Sequence, residues 1–453
     1  MEEAASKQEA SLANGSVWKL IAHMSIPAVV LMLIIVLYNV ADIFFIGQTG
    51  DASKVAAVAL ASPIYAVLQA FGTLLGSGAS TLMSISLGEK NGRKVKSISS
   101  FCCYATLLLG VLFALCVLVC AHPIATLLGA DANTIGYTSD YITVLLLGAP
   151  FILFSSVFGN IVRSDGSVKE SLVSNLLGSG LNIALDPLFI LGLGWGVSGA
   201  AVATVLGNVA ASIYLILVVQ KKDVFSLKPR DFSLKKDIAL STLILGIPMS
   251  LSTLLMSFGD VALNNMLKQY GTVAVAAFGV AGRITMVLAM VAMGICMGIQ
   301  PLLAYCYGAK NYPRMKEIIW KVLLTCIVTT SLLTLLCFLF RDGVLTAFVH
   351  DADVVALGRR FLLAALLSGP VSGVYQLCSS FLQSTANVKA ATLVACLRKG
   401  IVYIPITVIF FYAFGMNGLV AVTPVVDYIS IGIAVVISHF WFKKLKSNME
   451  ENA

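Results

Sequence analysis

Two acidic residues stand inside apolar stretches of the first half of the chain, and they are the strongest candidates for chemistry. Asp42 and Asp186 each lie five or six residues from the outer end of such a stretch. An ionisable side chain deep in lipid costs roughly 2.5–3.5 kcal/mol on insertion scales, so it is a functional candidate by default. At about 1.5 Å of rise per residue, both carboxyls are expected roughly 8–10 Å beneath the outer surface, where they could share a cavity.

Polar neighbours could complete a cation site around these acids. Asn182 precedes Asp186 by one turn, and on their own helix Tyr38 and Asn39 precede Asp42 by about one turn. Residues one turn apart share a helix face, and Thr204 on the following helix could add a hydroxyl. A set made only of oxygen ligands suits a proton or a small cation such as Na+. No other metal site and no cofactor is expected.

The composition places these residues in lipid rather than in a soluble domain. Of 453 residues, 58% are hydrophobic and 11% are charged, and the mean hydropathy is +0.93. Soluble domains carry about 25% charged residues, whereas apolar stretches of about 20 residues mark membrane-spanning helices. We predict twelve spans, near residues 17–46, 53–87, 95–121, 134–162, 168–192, 196–219, 237–267, 272–306, 316–340, 354–384, 388–413 and 417–441.

Basic residues indicate how these helices are oriented. Loops after even-numbered helices carry most of the Lys and Arg, among them Arg163 and Lys169, and the segment 221–237 is strongly basic. Cytoplasmic loops of membrane proteins are enriched in Lys and Arg, so both termini are expected in the cytoplasm and the protein in the cell membrane. The net charge of +8 therefore reflects topology, and no nucleic-acid partner is expected.

The chain repeats itself at a spacing of about 220 residues. The repeated pairs are Ile26-Pro27 with Ile247-Pro248, Gly88–Asn91 with Gly308–Asn311, and Gly196–Ala203 with Gly415–Ala421. This repeat predicts an all-α integral membrane protein, with twelve transmembrane helices in two parallel six-helix bundles. Its parts are an N-terminal lobe (1–220), a cytoplasmic linker (221–237) and a C-terminal lobe (238–453). Parallel repeats of this kind are a transporter architecture.

The acids themselves are not repeated. The positions that match Asp42 and Asp186 in the second half are near Ala262 and Ile406. A network of acids that only fixes helix packing is the alternative to a cation site, but such a network would be expected to survive in both halves.

Other polar or adaptable residues occupy the second half, and they are candidates for a substrate cavity. These residues are Met256, Asp260, Arg283, Gln300, Arg398 and Asp427. Alternatively, Arg283 neutralises Asp427 or Asp260 in an ion pair. Arg398 is expected about 9 Å inside the inner face, from where its side chain could snorkel to the surface.

These features resemble the multidrug and toxic compound extrusion (MATE) family, and in particular its DinF-type branch, over nearly the whole chain. The resemblance rests on Tyr38–Gly47, on Asn182–Pro187, on Thr204 eighteen residues after Asp186, and on the two glycine-led loops. It implies that the acids of helices 1 and 5 bind the coupling cation together with the Asn and Thr. Some relatives carry a Glu on helix 7, where this chain has Met256.

The resemblance also implies antiport by alternating access, in which H+ or Na+ enters while small organic, often cationic, compounds leave. The alternative is a flippase for a lipid-linked precursor. Its phosphate would require basic residues, and the second half offers Arg283, Arg398 and Lys399. An enzyme is not expected, since four scattered histidines offer no convergent nucleophile and base. We expect a monomer that contacts membrane lipid and small organic substrates.

Overall fold

Helices account for all the regular structure in the described part of the chain. The computed structural model describes residues 15–349 and 351–450, with side chains for all of these except 38–43, 52, 118–120, 257–262, 264–265 and 448–450. The first half contains α1 (Val17–Gly47), α2 (Ala52–Gly88), α3 (Gly92–Leu127), α4 (Ile135–Leu147), α5 (Ala149–Arg163), α6 (Val168–Asp186) and α7 (Gly196–Lys221). The second half contains α8 (Ala239–Leu267), α9 (Thr272–Gly308), α10 (Tyr312–Leu339), α11 (Arg341–Phe348), α12 (Ala352–Ser384), α13 (Val388–Cys396) and α14 (Tyr403–Glu450).

The described helices have enough apolar length for twelve membrane crossings. Ten described segments are long and apolar enough to span a membrane, and α4 with α5, bent by 56°, meets the same criterion as a pair. One of the ten, Val388–Ser447, has 60 residues, which is about 90 Å of helix and three times the hydrocarbon thickness. It breaks at Gly415, where φ is 58° and ψ is −133°. Counted as two crossings, it brings the total to the predicted twelve.

The glycine motif that repeats in the sequence begins with a positive-φ glycine in both halves. Gly196 has φ 54° and Gly415 has φ 58°, a left-handed conformation that favours glycine. Three residues further on, a Cβ on Gly199 would lie 2.8 Å from backbone, and one on Gly418 would lie 2.1 Å from backbone. Gly415 therefore separates two spans as Gly196 separates α6 from α7, and the predicted duplication is visible in the structure.

Proline causes two local departures from the predicted helices. The predicted span 168–192 continues beyond α6 as a π-helical turn at Pro187–Gly192, because a proline cannot donate the next i→i−4 hydrogen bond. The predicted span 134–162 is two helices that meet at Gly148, next to Pro150 in the first turn of α5. A second π turn, Leu397–Ile401, and the short helix α11 were also not predicted.

Two compact units divide the described chain, and their boundaries fall inside helices. One unit holds Val30–Ser250, and the other holds Ser16–Val29 with the residues from Leu251 onward. Each change of unit comes three residues after a proline inside a helix, Pro27 in α1 and Pro248 in α8. A proline removes a backbone hydrogen bond and so weakens the helix at that point. The lobe boundary predicted at 221–237 lies within the first unit and remains a prediction.

Small residues hold the first part of α1 to α9 within the second unit. A Cβ on Gly294 would lie 2.6 Å from the Cα of Val29, and a Cβ on Gly298 would lie 2.5 Å from the carbonyl oxygen of Met24. The Ser25 hydroxyl also donates a hydrogen bond of 3.3 Å to the backbone of α9. Such close backbone contact is needed because lipid supplies little hydrophobic force between helices.

Glycine has the same role in the first unit, where α2 meets the first part of α8. A Cβ on Gly78 would lie 1.9 Å from the carbonyl oxygen of Thr242, and a Cβ on Gly246 would lie 1.7 Å from that of Leu74. The basic linker belongs to this unit as well, since the Ser99 hydroxyl on α3 donates to the Ser226 carbonyl at 3.0 Å.

We expect Gly294→Ala to destabilise the protein and Gly279→Ala to leave it as stable as the wild type or slightly more so. The first change forces a methyl group into backbone, and overpacking of this kind costs about 1–3 kcal/mol. Gly279 lies on the same helix with nothing within 4 Å of an added Cβ, and alanine favours a helix by up to about 1 kcal/mol. Thermal unfolding of the detergent-purified variants checks this, and equal melting temperatures would contradict the packing described for α9.

Candidate functional site

A polar cluster forms in the first unit where α6 and α7 approach most closely. A Cβ on Gly207 of α7 would lie 2.4 Å from the carbonyl oxygen of Gly178 on α6. This close approach sets Asn182 beside Thr204, and Asn182 Nδ2 donates a hydrogen bond of 3.3 Å to Thr204 Oγ1. Both side chains are buried.

Asp186 is the last residue of α6 and is 0% exposed. It lies one turn beyond Asn182, so the two side chains share a helix face. Pro187 follows and has no N–H, which leaves the carbonyl oxygen of Ile183 without its usual helical donor. A buried carboxyl, an amide and a backbone oxygen that lacks its i+4 donor therefore occur within one turn of α6.

For three of the six residues predicted for the cation site, all on α1, the structure describes only the backbone. The side chains of Tyr38, Asn39 and Asp42 lie outside the described residues. Their participation in the site remains a prediction.

The described residues of the cluster fit a small cation. Asn182 Oδ1 is buried and accepts no hydrogen bond from any described residue. Such an oxygen costs about 1–3 kcal/mol when it is left unsatisfied, and a bound cation would satisfy it. Oxygen ligands suit hard cations, and no group of three His, Cys, Asp or Glu among the described residues could hold a metal ion. One carboxylate with neutral oxygens instead suits Na+ or a proton.

In the second unit, Asp427 pairs with Arg398 rather than with Arg283. Arg398 Nε lies 2.7 Å from Asp427 Oδ1, and Nη2 lies 3.3 Å from Oδ2. The side chains of Arg398 and Asp427 are 26% and 6% exposed, while Arg283 is exposed. The expected pairing of Arg283 with Asp427 and the snorkelling of Arg398 are therefore wrong. Arg398 lies in a π turn, whose extra residue changes the direction of the side chain from that of a regular helix.

Two further residues of α12 complete this ion pair, and neither was predicted. The Ser368 hydroxyl donates to Asp427 Oδ2 at 2.7 Å. The ring of Tyr375 lies 5.2 Å from the Arg398 guanidinium carbon, and its hydroxyl donates to the Val394 carbonyl at 2.7 Å. Ser368 and Tyr375 are seven residues apart, so they share a helix face. This spacing of polar residues in an apolar helix could have indicated a buried polar contact.

The remaining candidates of the second half are not joined to this pair by the described contacts. Met256 is 47% exposed, and the side chain of Asp260 lies outside the described residues. Gln300 accepts a hydrogen bond of 3.0 Å from Ser384 through its backbone oxygen. Arg163, which the sequence placed in a cytoplasmic loop, is instead the last residue of α5 and is buried, with 5% exposed.

Duplicated halves of membrane-spanning helices with polar side chains buried inside each half define the architecture of a transporter. The MatE family model matches residues 27–188 and again 248–409. Both matches begin at the helix prolines and repeat at the spacing found in the sequence. The chain therefore belongs to the multidrug and toxic compound extrusion (MATE) family, whose members are transporters and not enzymes.

Similar proteins extend along almost the whole chain. The multidrug export protein MepA of Staphylococcus saprophyticus subsp. saprophyticus is 34% identical over 408 residues and covers 90% of both chains. MepA of Staphylococcus aureus is 33% identical over 405 residues, with 89% of both chains covered. The predicted branch within the family remains a prediction.

Two solved structures have the same fold as this chain. A MATE transporter in a straight conformation has a TM-score of 0.90 at 25% identity and covers 97% of this chain and 99% of its own. A transporter of the MOP superfamily from Pyrococcus furiosus, whose binding pocket is described as reversed in polarity, has a TM-score of 0.88 at 25% identity, with 96% and 98% covered. The all-helical membrane fold predicted from the sequence is confirmed.

We expect Arg398→Met to lower the thermal stability strongly, because it leaves the Asp427 carboxylate buried without its cation. Removal of one partner of a buried ion pair costs about 3–5 kcal/mol. The double variant Arg398→Met with Asp427→Leu should recover most of the loss, since no unpaired charge remains. Thermal unfolding of the two single variants and the double variant in detergent gives the coupling free energy. Additive losses would contradict the ion pair.

Proposed function

We propose that this chain is a cation-coupled antiporter that exports small organic, often cationic, compounds by alternating access, with H+ or Na+ as the coupling ion. The observation that carries this proposal is the fully buried Asp186 carboxyl one turn from the Asn182–Thr204 pair. The coupling ion binds at Asp186, Asn182 and Thr204, together with Tyr38, Asn39 and Asp42 of α1. The protein works as a monomer in the cell membrane, with both termini in the cytoplasm.

The burial of Asp186 links ion binding to conformation. A carboxylate enclosed by apolar helices is unfavourable unless a proton or a cation neutralises it. Ion binding therefore favours conformations that close the cluster, and ion release favours conformations that open it to water. A ligand shifts a conformational equilibrium only through such a difference in affinity. When the exported compound is uncharged, one cation that enters down 100 mV supplies about 2.3 kcal/mol, which supports a substrate gradient of about 50-fold.

Helix α1 is suited to transmit this change. α1 contains Pro27, and its described residues change from one compact unit to the other between Val29 and Val30. A proline removes one hydrogen bond of the helix, and sharp bends occur at such positions. Occupation of a site that includes Asp42, further along α1, would then bend this helix at Pro27.

The relatives support the substrate class. MepA of both staphylococci is a multidrug export protein, and the resemblance extends over nine tenths of the chain. These relatives do not support the flippase alternative, and one of the basic residues that favoured it, Arg398, is neutralised by Asp427. The substrates are therefore small organic molecules rather than a lipid-linked phosphate.

We expect Asp186→Asn and Asp42→Asn each to abolish substrate efflux driven by an ion gradient, because the amide cannot neutralise a bound cation or release a proton. The measurement is efflux of a cationic dye from proteoliposomes under an imposed pH gradient and, separately, under an imposed Na+ gradient. The gradient that drives the wild type identifies the coupling ion.

Asp140→Asn is the matched control for these variants, since Asp140 is an exposed acid of the same half. It should transport as the wild type does. Efflux that survives in Asp186→Asn at the wild-type rate would overturn the proposed site.

Thr204→Val should weaken the apparent affinity for the coupling ion while the protein stays folded. The change keeps the shape of the side chain but removes the hydroxyl that holds Asn182 at 3.3 Å. Loss of a group that orients a ligand residue costs about 10–100-fold in ion affinity. The ion concentration that gives half-maximal efflux is the quantity to measure, and an unchanged value would argue against a role for Thr204.

A further inference from the structure

Polar contacts continue beyond the Asn182–Thr204 pair, from α7 to α5. Asn208 lies one turn after Thr204, and its Nδ2 donates to the Thr204 carbonyl at 2.8 Å. The Ser155 hydroxyl of α5 donates to Asn208 Oδ1 at 2.6 Å. A continuous set of hydrogen bonds therefore joins α6, α7 and α5.

A second set of hydrogen bonds begins at the next residue of α5, Ser156, and runs towards the end of that helix. Asn160 Nδ2 donates to the carbonyl of Ser156, the neighbour of Ser155, at 2.7 Å. Arg163 then donates from Nη2 to Asn160 Oδ1 and from Nη1 to Ser171 Oγ, the latter at 3.2 Å. We call the residues Asn182, Thr204, Asn208, Ser155, Ser156, Asn160, Arg163 and Ser171 the polar line.

The polar line spans much of the membrane. Ser171 precedes Asp186 by fifteen residues on α6, which corresponds to about 22 Å along the helix axis. Ser155, Asn160 and Asn208 are partly exposed, although they belong to helices inside a lipid-spanning bundle. Polar groups of this kind are the ones that bind water in a protein interior, so the line is a potential route for a cation.

Arg163 is the one member of the polar line with a permanent charge. It is 5% exposed, and both of its hydrogen-bond partners among the described residues are neutral. Asp165, two residues on, is bound instead by Lys222, whose Nζ lies 2.6 Å from Asp165 Oδ2. A buried charge without an opposite charge is unfavourable, and no described ion pair accounts for this one.

We propose that Arg163 is an electrostatic barrier that prevents the coupling ion from leaking along the polar line without transport of substrate. The proposal rests on the proposed cation site at Asp186. Fixed positive charges exclude cations from other membrane pores in the same way. A unit charge about 5 Å away in a medium of effective dielectric constant about 20 reduces the local cation population by roughly 10²-fold. Arg163 thereby keeps ion entry coupled to the conformational cycle.

The experiment measures ion leak in proteoliposomes that contain no substrate. A K+ diffusion potential drives the ions, and H+ entry and Na+ entry are recorded separately. Arg163→Gln keeps hydrogen-bond donors but removes the charge, and it should raise the leak of one of these ions at least about tenfold, within the range that the lost charge allows. Arg163→Lys keeps the charge and should stay at the wild-type level.

A second pair of variants tests the charge while Arg163 stays in place. Ser171→Asp puts a carboxylate beside the Arg163 guanidinium and neutralises it, whereas Ser171→Asn has nearly the same shape without the charge. The proposal predicts a leak in Ser171→Asp only. A wild-type leak in both Arg163→Gln and Ser171→Asp would overturn it, and so would an equal leak in Ser171→Asp and Ser171→Asn.

The proposed function is tested independently of this leak. Efflux by Asp186→Asn reports on the coupling site, while the leak of Arg163→Gln reports on the barrier. If Asp186→Asn loses efflux and Arg163→Gln shows no leak, the proposed antiport is supported and the proposed barrier is wrong.

Discussion

Lipid tails are as apolar as the helix surfaces, so the hydrophobic effect does not drive two membrane helices together. Such helices associate through close backbone contact and polar groups instead. In this chain, backbones approach to such contact at Gly246 in the first unit and at Gly294 in the second. The contact between Gly178 and Gly207 has a further consequence, since it sets Asn182 of α6 within hydrogen-bond distance of Thr204 on α7. The geometry of the polar cluster therefore depends on the absence of two side chains rather than on an apolar core.

The two halves have kept their turns but not their charges. Gly196 and Gly415 both have a positive φ, of 54° and 58°, whereas the position that matches Asp186 is near Ile406. In the second unit, the buried Asp427 is bound in a bidentate ion pair and so has little capacity left for a cation. One half therefore has a buried carboxyl near neutral polar side chains, and the other has a carboxylate whose ion pair joins two segments of the chain.

Sequence analysis predicted what depends on composition and on local backbone chemistry. The twelve spans follow from apolar length, the duplication from repeated glycines and prolines, and the proximity of Asn182 and Thr204 from the family resemblance. The pairing of Arg398 with Asp427 could not be predicted, because depth and helix face were counted on a regular helix and Arg398 lies in a π turn. Arg163 was assigned to a loop because the end of a span is uncertain by about one turn, and one turn separates a loop from a buried position.

The two buried arginines differ in what their fields can act on. Arg398 faces a carboxylate, so the field of the pair falls off quickly and acts mainly on the helices it joins. Arg163 has only neutral partners among the described residues, and a charge in surroundings of low dielectric constant is felt over many ångströms. Folding does not require such a field, since a neutral side chain could donate the same hydrogen bonds at lower cost. A charge that is costly and unbalanced within the structure is best explained by something mobile, and in a transporter the mobile charges are the ions and substrates that pass.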